Sequence, residues 1–288
     1  MKKLLFILSL VLSFNAFADD LPSCGDNCTY SYIQNGTDQD GNITYTLTVA
    51  PIDPEQTAKV QAYDRYGYTT KENPVYAPWR FENVTSVVIE KGVTDISDHA
   101  FEDMQSLKTL KLPEGLKTIG HESFHNTKIQ KVDLPSTLTS INSYAFSIGA
   151  LKEINELPEG LKVIDAQTFS NTQIKDWVIP SSVTMLSSSA FGIGLSGYDK
   201  SLIENLYCAE PIADQCEVAV QWKRDLGQTV NVETYKKNAD GTIFYNNHWY
   251  QNANDILAPN GHIKKRIYTI DEANKITGKT NNVSITYK

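Results

Sequence analysis

His121-Glu122-Ser123-Phe124-His125 is the stretch of this sequence whose residue types and spacing point most directly to chemistry. On a helix, H-E-x-x-H sets two imidazoles one turn apart on one face, where they can hold zinc. The glutamate then stands beside the metal-bound water as a general base. The other histidines, His99, His248 and His262, add no ligand spacing, and the sequence has neither a G-x-S-x-G elbow nor a phosphate-cradling glycine loop.

The residues around the motif decide how it reads. Phe124 belongs to a series, Phe101, Phe124, Phe146, Phe169 and Phe191, spaced by 23, 22, 23 and 22 residues. Each follows a small residue: Ala100, Ser123, Ala145, Thr168 and Ala190. Apolar positions recur upstream, as in Leu107, Leu110, Leu112, Leu116 and Ile119, then Ile129, Val132, Leu134, Leu138 and Ile141. The fourth unit carries one extra residue between Ile154 and Leu157. In this alignment His121 falls with Asp98, Ser143, Ala166 and Ser188, and His125 with Glu102, Ser147, Ser170 and Gly192. Those are variable outward positions, and a unit this short leaves room for a turn or two of helix at most. We therefore expect no catalytic residue, no metal and no cofactor. The alternative is a zinc metallopeptidase using His121, Glu122 and His125.

Each unit predicts a short strand at L-x-x-L-x-L, ended by a proline turn such as Pro113-Glu114-Gly115 or Pro135-Ser136-Thr137. The next apolar pair and the small-Phe pair return the chain along the opposite side. One unit cannot bury its own apolar edge, but stacked units share a core, and about three suffice for stability. At roughly 4.8 Å per step, five units make a body about 25 Å long.

LPEGLKTIGHESF, LPSTLTSINSYAF and IPSSVTMLSSSAF resemble the BspA-type leucine-rich repeats of secreted and surface proteins. Cys24-Gly25-Asp26-Asn27, Ala77-Pro78-Trp79 and VTSVVIEKGVTDISDHAF resemble the module that precedes such repeats. The resemblance spans roughly residues 24–217. It implies a leucine-rich repeat solenoid of short parallel strands with turns or short helices, and an adhesin-like interaction protein that is not an enzyme.

The ends read differently. Thr29–Gln34 and Ile43–Val49 predict a β-hairpin capping the first coil within a capping region over 19–83, before five repeats over 84–201. A degenerate repeat and C-terminal cap occupy 202–227, with a helix from Pro211 to Leu226 that turns Ile212, Val218, Trp222 and Leu226 inward. Residues 228–288 read as a basic tail or small β-rich module.

Lys2, Lys3, the apolar run Leu4–Phe14 and Ala16-Phe17-Ala18 form a signal-peptide pattern over 1–18, cut between Ala18 and Asp19. The run is shorter than the ~20 residues a membrane span needs. Export, to a secreted, periplasmic or cell-surface location in a bacterium, makes disulfides reasonable for Cys24, Cys28, Cys208 and Cys216. Four cysteines allow three pairings. The separation of the two pairs favours Cys24–Cys28 and Cys208–Cys216.

Residues 19–221 carry a net −14 and 222–288 a net +4. The acidic body excludes a general nucleic-acid coat. Lys264-Lys265-Arg266 in the tail is a candidate contact to an anionic envelope surface, which would make the protein a docked spacer. The outward strand positions give two columns. One runs through Ser86, Thr109, Lys131, Glu153, Asp176 and Asn205, the other through Val88, Lys111, Asp133, Asn155, Val178 and Tyr207. They read either as a solvated face or as a shallow surface for a protein or glycan partner.

Overall fold

The computed structural model describes residues 21–64, 76–80, 82–192, 200–246, 248–250, 256 and 266–267. The segment 1–18 expected to be a signal peptide, Lys264 and Lys265 lie outside them. Strands are numbered along the chain. The first four are β1 (Ser23–Gly25), β2 (Cys28–Thr37), β3 (Ile43–Pro51) and β4 (Ala58–Val60). Paired strands of successive coils follow: β5 (Val84–Ile89) with β6 (Val93–Ile96), β7 (Thr109–Lys111) with β8 (Thr118–Ile119), β9 (Lys131–Val132) with β10 (Ser140–Ile141), β11 (Glu153–Ile154) with β12 (Val163–Ile164), and β13 (Asp176–Val178) with β14 (Met185–Leu186). Then come β15 (Asn205–Ala209), helix α1 (Ala213–Asp225), β16 (Asn231–Lys237), β17 (Ile243–Tyr245), β18 (His248–Tyr250) and β19 (Arg266–Ile267).

Each coil therefore has two strands. The odd-numbered strands β5 to β15 form the front of the solenoid. The short strands on the return side of the coils form a rear parallel sheet in the order β14-β12-β10-β8-β6-β4. The apolar spacing predicts the front strand and the return path, but not that the return path is itself a sheet. Two residues are enough for a rear strand because stacked neighbours supply its hydrogen bonds, as in Ser140–Thr118 and Ile141–Ile119.

The third side of each coil is a turn closed by the phenylalanine. The backbone N–H groups of Phe101, Phe124, Phe146 and Phe169 donate to carbonyls of the next coil at 2.8–3.1 Å. These turns place non-glycine residues in the left-handed region: His99 (φ 58°), Glu122 (51°), Tyr144 (58°) and Gln167 (55°) at equivalent positions. That conformation costs about 1–2 kcal/mol per residue, which the bonds between coils offset. Inside, Trp79 and the five phenylalanines stack in a column, with rings 5.2–6.4 Å apart and 6–20° from parallel. The small residue before each phenylalanine is fully buried, which explains the size limit. Where it is Ser123, the hydroxyl donates to the Gly120 and Ser97 carbonyls at 2.7 and 3.0 Å.

At the N-terminal end, β2 and β3 form the hairpin, and β3 pairs in parallel with β5. The edge of β4 is closed by loop backbone: Lys59 N–H donates to the Asp26 carbonyl (2.9 Å) and Gln61 N–H to the Cys24 carbonyl (2.8 Å). Gly25 sits in that contact. A Cβ there would lie 2.2 Å from the Lys59 carbonyl oxygen.

The C-terminal end corrects two expectations. In α1 the inward residues are Cys216, Ala219, Val220 and Lys223, whereas Val218 and Leu226 are about half exposed. The Cys208–Cys216 link fixes the phase of the helix, and the i, i+3, i+4, i+7 set that includes Cys216 then faces the core. Gly227 (φ 75°) ends the helix, with its N–H on the Arg224 carbonyl and that of Gln228 on the Lys223 carbonyl.

The second correction concerns the boundary at 228, which falls inside the folded body. β16 pairs in parallel with β15 over five residues, from Asn205–Asn231 to Ala209–Tyr235. Tyr235 is 1% exposed, and its hydroxyl donates to the Ile179 carbonyl. Burial pushes its phenol above the usual range. β17 and β18 form the hairpin expected around Asn246, and β18 pairs with β19. Strands β16, β17 and β18 thus extend the sheet that begins with β13 and β15.

Candidate interaction surface

The outward positions of the front strands are held in register by the ladder. Ser86 stands beside Thr109, Lys131 beside Glu153, and Asp176 beside Asn205. The second column sets Val88 beside Lys111 and Val178 beside Tyr207. Thr109, Lys111, Lys131, Asp133, Glu153, Asn155 and Asp176 are exposed, and Asn205 and Tyr207 are half-buried. Strand pairing carries both columns into the caps, to Thr46, Thr48, Ser31 and Ile33 at one end and to Asn231 and Glu233 at the other. The period-2 alternation of the hairpin carries that signal in the sequence.

The side chains on this face bind one another along the columns. Lys131 is ion-paired with Glu153, and that contact raises the lysine pKa. Asn205 donates to Asp176 (2.5 Å) and Asn231 to Asn205 (2.9 Å). Tyr207 meets Tyr245 edge-on at 5.7 Å. Asn155 does something the columns do not predict. Its amide nitrogen donates to the Leu134 carbonyl (3.0 Å) and its oxygen accepts the Leu134 N–H (2.8 Å). A side chain here takes the place of a strand beside the inserted residue of the fourth coil. The front ladder is interrupted there, between β11 and β13, as it is between β7 and β9: its strands pair as β5–β7, β9–β11 and β13–β15.

One candidate leaves the surface. Val178 is 5% exposed and belongs to the core. It lies in register with Tyr207, whose ring packs on Tyr245, so the second column is covered at that point. Of the tail cluster, only Arg266 lies among the described residues, in β19 opposite Tyr250.

The H-E-x-x-H residues do not form a helix face. Glu122 is left-handed and the segment is a turn. His121 Nε2 lies 3.2 Å from a Glu122 oxygen, and its ring packs edge-on against His99 (5.3 Å) and Tyr144 (5.7 Å). His125 instead faces Glu102, at 3.4 Å from Nδ1 to Oε1. Glu102 also receives His99 Nδ1 at 2.8 Å, and this hydrogen bond holds His99 above the usual histidine range. Sequence alignment of the repeats placed Glu102 and His125 at one position without showing that the two would meet.

Disulfides join Cys24 to Cys28 and Cys208 to Cys216. The first ties β1 to β2, the second β15 to α1. Among the described residues no helix is long and apolar enough to cross a membrane.

Residues 77–193 match the sequence model of the BspA type leucine-rich repeat region, in six copies. No curated protein matches the chain. Among solved structures, a leucine-rich repeat protein from Eubacterium ventriosum is 18% identical, with a TM-score of 0.44, over 70% of this chain and 44% of that one. The T. pallidum leucine-rich repeat protein is 18% identical, with a TM-score of 0.30, over 73% of this chain and 84% of that one. The pneumococcal vaccine antigen PcpA is 17% identical, with a TM-score of 0.35, over 79% of this chain and 54% of that one. The chain thus spans less than half the length of the Eubacterium protein.

Proposed function

Residues 77–193 being a BspA-type leucine-rich repeat region, we propose that this is an exported, surface-associated bacterial protein that binds a protein partner in an adhesin-like manner, without catalysis. The surface that serves this role is the front of the solenoid. The observation that carries the reading is the pair of exposed columns along the front strands, in register within the pairs β5–β7, β9–β11 and β13–β15, with Lys111, Lys131, Asp133, Glu153 and Asp176 presenting both charge signs along one face. Such a face favours complementary charged and polar side chains on the partner, which give specificity and association rate more than raw affinity. The two disulfides suit an oxidising compartment, and cleavage between Ala18 and Asp19 would deliver the chain there.

The test is capture of surface proteins by immobilised protein carrying Lys111→Glu, Asp133→Lys or both, against rear-face substitutions Lys117→Glu and Thr139→Lys. The expected result is loss of capture with the front pair, at an unchanged melting temperature, and retention with the rear pair. Equal capture by the front and rear variants would refute the assignment of the face.

A further inference from the structure

We propose that His99, Glu102, Glu122 and His125 form a zinc site that joins the first two coils. The four residues come from two turns of the solenoid and from two repeat positions. His99 and Glu122 each stand two residues before the phenylalanine of their coil, and Glu102 and His125 each stand one residue after it. Stacking the coils makes a square with histidine and glutamate alternating at its corners. Every edge is a histidine–carboxylate approach: His99 Nδ1 to Glu102 Oε2 2.8 Å, His99 Nδ1 to Glu122 Oε2 3.8 Å, His125 Nδ1 to Glu102 Oε1 3.4 Å and His125 Nδ1 to Glu122 Oε2 3.9 Å. A tetrahedral zinc ion with bonds of about 2.0–2.1 Å sets its donor atoms about 3.3 Å apart. His99, Glu102 and Glu122 bring donor atoms within 4.8 Å of one another, and so do Glu102, Asp103 and His125. Glu102 belongs to both sets, turning Oε2 to His99 and Oε1 to His125, so the ion would draw the two triads together. Both imidazoles present the same nitrogen, Nδ1, to the centre of the square. The Glu102 side chain is 3% exposed and that of Glu122 12%, so the donors sit at the edge of the core.

A second observation separates this square from ordinary packing. The same two repeat positions in the next coils hold Tyr144, Ser147, Gln167 and Ser170. There the contacts are neutral: Gln167 donates to the Tyr144 hydroxyl, and the Ser147 and Ser170 hydroxyls lie 2.8 Å apart. The lattice closes without charge, so two imidazoles and two carboxylates are not a requirement of the fold. They are the mixed nitrogen and oxygen donor set that suits a borderline cation such as zinc, whereas magnesium and calcium prefer oxygen alone. With all four donors supplied by the protein the site is closed, so its role is to pin the coils together and not to activate water. His121 is not a member of the square; it contacts the outer oxygen of Glu122. The site therefore differs from the one an H-E-x-x-H helix would build.

The experiment is metal analysis of the purified full chain, stripped with EDTA and dialysed at pH 7.5 against zinc sulfate, with calcium and magnesium chloride as controls. One equivalent of zinc should remain and neither control ion. Cobalt(II) in its place should give the intense visible absorption of a tetrahedral site. Saturation at a hundredfold excess over Kd should raise the melting temperature by about 5–10 °C over the EDTA-treated chain. His125→Ser and Glu122→Gln install residues of the kind the neighbouring coils use, so they should fold with the far-UV spectrum of the parent and hold no zinc. His121→Ala should keep one equivalent. Absence of bound zinc in the parent chain, or zinc retained equally by His125→Ser, would overturn the proposal. Zinc lost in His121→Ala but kept in His99→Ala would overturn it in favour of the H-E-x-x-H ligand set.

Discussion

Removing the ring of Phe146 from the centre of the aromatic column tests whether the coils stand or fall as nearest neighbours. Phe146 is fully buried, and its ring stacks on Phe124 at 5.4 Å and on Phe169 at 6.2 Å. Truncation of a buried phenylalanine to alanine costs about 3–5 kcal/mol through lost transfer energy and the cavity left behind. Each stacked pair accounts for about 0.5–1.5 kcal/mol of such a loss, so up to roughly half of it belongs to contacts with adjacent coils. With a urea m-value of about 2 kcal/mol/M, the midpoint should fall by about 1.5–2.5 M. A double-mutant cycle then isolates the stacking. Phe124→Leu with Phe146→Leu should show a coupling of about 1 kcal/mol, because the rings touch. Phe101→Leu with Phe169→Leu, separated by two rings, should add to within about 0.5 kcal/mol. Urea unfolding followed by circular dichroism and by tryptophan fluorescence gives all the values needed. A midpoint shift below about 0.5 M for Phe146→Ala, or a coupling for the distant pair as large as for the adjacent one, would refute the idea that the column transmits stability one coil at a time.

Truncation after residue 227 should lower the melting temperature by several degrees, since it removes the buried Tyr235 and Ile243 and exposes the edge of β15; Tyr235→Phe alone should cost about 1–3 kcal/mol by leaving the Ile179 carbonyl without its donor. An unchanged melting temperature in the truncated chain would restore the tail to the status of an appendage. Replacing Cys208 and Cys216 by serine opens a loop with a sequence separation of 8 and should cost about 2–3 kcal/mol in chemical denaturation; added reductant should cost the parent chain at least as much, because it opens Cys24–Cys28 as well. Asn155→Ala should cost about 1–2 kcal/mol and Asn155→Asp at least as much, because a carboxylate cannot donate to the Leu134 carbonyl, whereas Asp133→Ala on the same exposed column should be near neutral.

The repeat was legible because each of its positions obeys a one-dimensional rule. The phenylalanines, the small residues before them and the apolar pair after each proline turn are all buried at the spacing the sequence shows. The outward columns were legible for the same reason, since strand pairing preserves period 2. What failed needed information from outside the repeat. The inward face of α1 was misjudged because its apolar residues include Val218 and Leu226 on the solvent side, while the disulfide to Cys208 selects the face that holds Cys216. The continuation of the front sheet through β16 was missed because Asn231–Lys237 carries no proline turn or small-Phe pair to mark it as another coil. The histidine–glutamate square was invisible along the chain because its edges join residues one coil apart, and the local pattern H-E-x-x-H drew attention to His121 in place of Glu102.

The closure of the rear sheet bears on how a protein of this kind can change length over generations. Its first strand, β4, is sealed by the disulfide loop around Gly25, and its last, β14, by a single side chain: the Gln215 amide accepts the Leu186 N–H (2.8 Å) and donates to the Thr184 carbonyl (3.3 Å). Neither seal has the form of a repeat, and each fits only the strand it covers. A gene duplication that appended a coil outside either seal would meet no free ladder to join, whereas one that copied an interior unit, such as the 22 residues from Ile129 to Ala150, would find matching partners above and below. Unequal recombination among the repeats can therefore lengthen or shorten the middle of the body while both ends are inherited as fixed parts.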